Sequence, residues 1–363
     1  MIKITFFLGS LFALFTLFFP SWIMNMYVQK DSIDTKSIVN FGVLYLKYSV
    51  PTYFFLGLSL TCTIALRSVG QVKLPLYVSI GAFFINFGAN WVLIFGKFGF
   101  PQMGVAGAAL GTLISRIFET SVILGYLLCK DTKIGFRVKH LFIKTRDLLG
   151  EYIRICIPVL ISDGILALGN NAIQMVVGRL GKSFVAANAI TGVTQQLSTT
   201  VIQGVCQSGA IITGQTLGEG DKEKTMRHGY GFLGLGFLLG IIAGGIVLLI
   251  SPIVIHSSDL TDEAINIARQ LMKAISVILI FQATNSIMTK GVLRGGGDTK
   301  MLMLADNIFL WIISIPLGLL AAFVFHMPAF WIYFFLKFDQ IVKAVWCVIR
   351  LSSGKWIKKI KSV

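Results

Sequence analysis

The sequence predicts an all-α polytopic membrane protein of about ten transmembrane helices with a parallel internal repeat. Three observations carry that prediction. Of 363 residues, 55% are hydrophobic, only 13% are charged, and mean hydropathy is +0.79; a soluble domain carries about 25% charged residues. Ten segments are long and apolar enough to cross about 30 Å of hydrocarbon. An eight-residue charged turn occurs twice at an offset of 227: Leu66-Arg67-Ser68-Val69-Gly70-Gln71-Val72-Lys73 and Leu293-Arg294-Gly295-Gly296-Gly297-Asp298-Thr299-Lys300. At that offset Ser49 meets Ser276, Phe54 meets Phe281 and Ser59 meets Ser286, so the helix before each turn is duplicated as well.

The first segment, 4–26, follows Lys3 and has the outline of a signal peptide. Pro20 and Trp22 stand where small residues would mark a cleavage site, which predicts a retained helix. Segment 42–66 contains Pro51 and ends at the first charged turn. Segments 75–96 and 104–128 flank a Gly- and Pro-rich connection, and Arg116 and Glu119 in the second of them are spaced three apart to pair. The stretch 130–150 is basic and links two lobes: an incomplete first lobe at 1–129 with four helices, and a second at 151–350 with six. A basic tail, 351–363, follows.

Segment 151–178 carries Pro158, Asp163, Asn170, Asn171 and Gln174. Asp163, Asn170 and Gln174 are separated by seven and four and share one helical face. A carboxylate in a bilayer must be paired, neutral or turned to water, and enclosure would favour proton uptake. Asp163 is therefore the cation-coupling candidate. Segment 186–213 places Asn188, Thr191, Gln195, Thr199 and Gln203 at steps of three and four. These, with Asn170, Asn171 and Gln174, are candidates to line a polar cavity; interhelical hydrogen bonding is the plainer alternative.

Segment 229–251 holds seven glycines, which predicts close helix approach. Segment 267–290 ends near the second charged turn. Segment 302–323 contains Asp306, Asn307 and Pro316, and 328–349 contains Lys337 and Asp339. Asp306 and Lys337 are secondary polar candidates, with Asp306 expected to bond the cytoplasmic ends of neighbouring helices. Pro51, Pro158 and Pro316 each remove an intrahelical bond and predict kinks.

Twenty Lys and Arg, from Lys3 to Lys361, fall in loops on the side of Met1; five (Lys30, Lys36, Lys97, Arg179 and Lys182) fall on the other. By the positive-inside rule both termini are cytoplasmic in a plasma-membrane protein. The formal net charge of +16 is accounted for by these loops, so no nucleic-acid partner is implied. Cysteines at 62, 129, 156, 206 and 347 and histidines at 140, 228, 256 and 326 lack metal-ligand or disulfide spacing. Neither charged turn is a phosphate-binding loop, and no catalytic constellation is evident. The expectation is a transport protein, not an enzyme, with no cofactor and no metal.

Several stretches, in order along the chain, resemble the multidrug and toxic compound extrusion (MATE) family: Ala65–Pro75, Asn86–Trp91, Phe95–Pro101 with Gly104–Ala109, Ala186–Ile190, Gly214–Asp221 and Leu293–Lys300. The resemblance implies a two-lobe bundle of twelve helices around a V-shaped cavity, of which about ten are present here. Arg294 lies 144 residues beyond Gly150, whereas Arg67 has only 66 before it, so the first lobe is short by roughly 78 positions, room for two helices of about 20 residues with loops. The resemblance also implies a monomer that exports cationic or amphipathic compounds against inward H+ or Na+ flow. It places Asp163 in the seventh family helix, where acidic residues often serve coupling, and Asn188 on the wall of the second-lobe cavity. The acidic residue of the family's first helix has no counterpart in this chain. The rival readings are a lipid-linked saccharide flippase and an inactive truncated remnant.

Overall fold

A computed structural model describes residues 2–27, 35–137, 139, 146–258 and 260–357. Lys30, His140, Lys144, Lys358, Lys359 and Lys361 of the sequence argument lie outside the described residues. Among the described residues the ordered elements are helical, and the chain divides into two compact units, 1–145 and 146–363.

The first unit contains α1 (Ile2–Phe18), α2 (Pro20–Tyr27), α3 (Thr35–Ser68), α4 (Lys73–Phe95) and α5 (Gly104–Cys129). The expected first span is divided at Phe19, immediately before Pro20. Proline has no N–H to continue the ladder and suits the first turn of a new helix. Pro51, in contrast, sits inside continuous α3. α3 packs against α1 and α5, and α4 pairs with α5. Their small core comprises Cys62, Leu66, Val78, Ile123 and Leu127.

The second unit contains α6 (Arg146–Arg179), α7 (Lys182–Gly218), α8 (Lys222–His256), α9 (Asp262–Ser286), α10 (Thr299–Ile308), α11 (Ile315–Leu319), α12 (Ala329–Leu336) and α13 (Asp339–Ser352). Wide π turns at Ile287–Leu293, Phe309–Ser314 and Leu320–Val324 extend α9 and flank α11. Two of them bracket the helix that contains Pro316, where the missing N–H already interrupts the regular ladder.

α9 is the centre of this unit. Leu271, Met272, Ile275, Ile278 and Leu279 are fully enclosed, with α7, α8, α12 and α13 packed around them. The glycine-rich α8 approaches α9 closely on one side only. A Cβ at Gly240 would come within 2.6 Å of Ile280 Cα, and one at Gly244 within 2.5 Å of the Ser276 carbonyl oxygen, while Gly231, Gly234 and Gly245 face open space.

Among the described residues, seven helices meet both length and apolarity requirements for a membrane span. The other three expected spans fail for separate reasons. α1 has only 17 residues before the Pro20 break. α7 is long but carries the Asn, Thr and Gln row that lowers its hydropathy. The last expected span, 328–349, is not one helix: α12 ends at Leu336 and α13 begins at Asp339.

The duplicated turns have the same backbone. The Gly70 N–H donates to Arg67 O at 3.0 Å and the Gln71 N–H to Leu66 O at 2.9 Å. At the equivalent places, Gly297 donates to Arg294 O and Asp298 to Leu293 O, both at 3.1 Å. Gly70 and Gly297 have φ of +78° and +86°. This is the left-handed helix terminus that glycine adopts without the Cβ clash other residues meet.

Candidate functional site

The polar side chains of the second unit form two groups. The first lies along α6 and α7. Asp163 is 57% exposed at its side chain, with Arg294 Nη2 3.8 Å from Oδ1. Protein neighbours leave the carboxyl open, and a guanidinium from the second charged turn faces it. Next to it, the Asn307 amide donates to Ser162 Oγ at 2.8 Å and the Trp311 indole N–H to Ile165 O at 3.2 Å, so α6 is fastened along α10 and the π turn beyond it.

Further along α6, the Asn170 amide turns back to Leu166 O at 3.1 Å, and Asn171 is exposed. Asn188 donates to Gln174 Oε1 at 3.1 Å and joins α7 to α6. Gln195 donates to Gln282 Oε1 at 2.8 Å and joins α7 to α9. Thr199 bonds the Gln195 carbonyl at 3.0 Å, and Gln203 is exposed. Thr191 does not belong with them. It is fully buried, and its hydroxyl is satisfied by Ala187 O at 2.8 Å, so it is a core residue and not a cavity lining. Its register matched the amide row, but its side chain closes on its own helix, as threonine readily does.

The second group was only half visible in the sequence. Lys343 Nζ stands 2.9 Å from Asp339 Oδ2 and 3.3 Å from Asp306 Oδ1. Ser314 Oγ donates to Asp339 Oδ1 at 3.1 Å, and the Gln340 amide donates to Oδ2 at 2.7 Å. Asn285 donates to Gln340 Oε1 at 2.8 Å. The network thus joins α9, α10, the π turn at 309–314 and α13. Asp306 meets Lys343 and not the neighbouring helix ends expected for it. Lys337 stands at the break between α12 and α13 rather than in the middle of a span. Lys343 itself was missed, although its i,i+4 spacing from Asp339 was the available signal.

These features define a polytopic helical protein with ionisable and amide side chains gathered inside its second helical unit. The match to known proteins makes this specific: the MatE family profile covers residues 1–92 and 158–320, and the chain belongs to that family. A probable multidrug resistance protein NorM of Thermotoga maritima is 28% identical over 300 residues, 81% of this chain and 63% of the relative. The multidrug resistance protein NorM of Burkholderia vietnamiensis is 30% identical over 269 residues, 71% of this chain and 56% of the relative. The chain thus spans under two thirds of the length of either. A crystal structure of a MATE protein in the straight conformation superposes with a TM-score of 0.81 at 17% identity, covering 98% of this chain and 78% of the other, which shows the shared fold.

Proposed function

We propose that this chain acts in cation-coupled export of cationic or amphipathic compounds across the plasma membrane, as a monomer with its basic loops and C-terminus cytoplasmic. One observation carries the reading: an open carboxylate, Asp163, lies on the same helix as amides that cross to α7 and onward to α9. A carboxylate attracts a cation, and neutral amides offer hydrogen bonds without competing charge. The multidrug resistance names of the NorM relatives agree with this class of substrate.

Asp163 is the proposed coupling carboxylate, with H+ or Na+ as its ion. Arg294 is its resting counter-ion, and an arriving cation would compete with the guanidinium. Coupling requires that ion and substrate favour different states of the protein by unequal free energies. The test is uptake of ethidium into proteoliposomes under a proton or a sodium gradient. Gradient-driven uptake that falls at least tenfold in Asp163→Asn supports the reading. Equal uptake in the variant removes Asp163 from coupling, and no uptake by the unaltered chain removes the transport reading.

A further inference from the structure

The chain beyond α13 packs back against the second unit. Gly354, with φ of +66°, reverses the backbone after Ser352 and returns Trp356 to the end of the helix it follows. Trp356 is fully enclosed. Its indole N–H donates to Leu351 O at 3.1 Å, the kind of partner a buried indole requires. The ring packs with Met288, Val292 and Leu293 of the π turn after α9, with Leu302 of α10, and with Cys347 and Leu351 of α13.

The indole fills a slot that the second charged turn opens by lacking side chains. A Cβ at Gly296 would stand 2.6 Å from Trp356 Cζ3 and 3.1 Å from the Trp356 carbonyl oxygen. At the offset of 227 the other turn has Val69 in this place. Gly295 meets α7 just as closely: a Cβ there would be 2.8 Å from Ala210 O. Three successive glycines lose more backbone freedom on folding than Ser68-Val69-Gly70 does, so their neighbours must hold them. α7 holds Gly295, Trp356 holds Gly296, and Arg350 holds Asp298 through a 2.6 Å ion pair. Arg294 directly precedes these glycines, and its guanidinium is the one that faces Asp163.

We propose that Trp356 is a positioning residue for the coupling site: docked on Gly296, it holds the second turn so that Arg294 faces Asp163 and competes there with an arriving cation. The inference rests on the coupling role given to Asp163 and adds to it the element that sets its counter-ion. Trp356 touches neither Asp163 nor Arg294 in this scheme; it acts through the glycine backbone between them. When the indole leaves its slot, residues 295–297 lose one of their three supports, and the guanidinium spends less of its time at the carboxylate. The negative charge of Asp163 is then less screened, and a cation binds there more readily.

The test places a thiol probe, Asp163→Cys, in the full chain in lipid, with Cys129→Ser and Cys156→Ser so that the remaining native cysteines are buried. The ratio of its reaction rates with an anionic and a cationic methanethiosulfonate reads the positive charge beside it. Trp356→Ala should lower that ratio about threefold or more, as Arg294→Gln does, and the two together should lower it no further. Trp356→Phe, which keeps a ring in the slot, should retain most of it. Gel filtration and thermal unfolding show which variants are folded. If Trp356→Ala is not, Gly296→Ala, which crowds the ring with Trp356 in place, takes its role. An unchanged ratio in a folded variant overturns the proposal. So does a further fall in the Arg294→Gln background, because the indole then acts through another group. Gradient-driven ethidium uptake is scored separately, with Asp163 in place. Trp356→Ala should reach half-maximal uptake at a lower concentration of the driving cation, and an unchanged value overturns the competition. A ratio that behaves as expected, with no uptake by the unaltered chain, keeps Trp356 as the support of Arg294 and discards the transport reading.

Discussion

Gln71 and Asp298 occupy the same place in two turns 227 residues apart, and each ties its turn to the end of the last helix of its own unit. The Gln71 amide donates to Asp131 Oδ1 at 3.1 Å, just beyond the end of α5. Asp298 Oδ2 accepts from Arg350 Nε at 2.6 Å, in the last turn of α13. Duplication has preserved the mechanical connection while its chemistry changed from a partly open amide contact to an ion pair with a fully buried carboxylate.

The ion-pair version should be the more sensitive to mutation. Asp298→Ala leaves Arg350 without its carboxylate, and breaking one side of a buried pair costs about 3–5 kcal/mol. Thermal unfolding in detergent should show a large drop for Asp298→Ala. Joint replacement, Asp298→Leu with Arg350→Met, should recover much of it, because no lone charge remains. Equal losses in the single and double variants would contradict the pairing.

The amide version should respond to pH. Some burial of Asp131 opposes its ionisation, but the N–H groups of Ile134, Lys133 and Gly135 and the Gln71 amide outweigh that and hold its carboxyl below the usual range. A carboxyl lowered in the folded state stabilises it above the ordinary unfolded value and loses that contribution as pH falls through the lowered value. Wild type should therefore melt above Asp131→Asn at neutral pH. The gap should close on acidification below the ordinary carboxylate range. A gap that widens in acid would reverse the assigned sign.

The two turn glycines give a backbone test. At φ of +78° and +86°, Gly70 and Gly297 hold a conformation that costs an L-residue about 1–2 kcal/mol. Gly297→Ala should lower the melting temperature, and Gly297→Asn should lower it less, since asparagine tolerates this region. A Cβ at Gly70 meets nothing within 4 Å, so the same pair of substitutions there reads the backbone term free of packing.

The turns were legible in the sequence because their geometry depends on residues close together in the chain. The shared face of α6 is local in the same way, whereas the break at Pro20 was passed over by the expected single span at 4–26. The break at Lys337–Phe338 was not legible: it falls in an apolar run with neither Gly nor Pro, and tertiary bonds to Asp339 anchor the helix that follows. Lys343 was missed because its second partner, Asp306, lies on another helix and meets it only through folding. Thr191 was misread because periodicity reports the face of a helix but not which of its neighbours encloses that face.

Thr191 and Gln195 are four residues apart on α7 and separate structure from function most directly. Thr191 is enclosed, with its hydroxyl satisfied within its own helix, so Thr191→Val removes a bond of small net value, about 1 kcal/mol or less, and keeps the side-chain shape. Gln195 spends its amide on Gln282 across the α7–α9 boundary, and Gln195→Leu leaves the Gln282 carbonyl oxygen without that donor. Ethidium uptake should be nearly unchanged in Thr191→Val and several-fold lower in Gln195→Leu, with both proteins folded. If the threonine substitution abolishes uptake while the glutamine substitution does not, the polar row on α7 has been assigned to the wrong face.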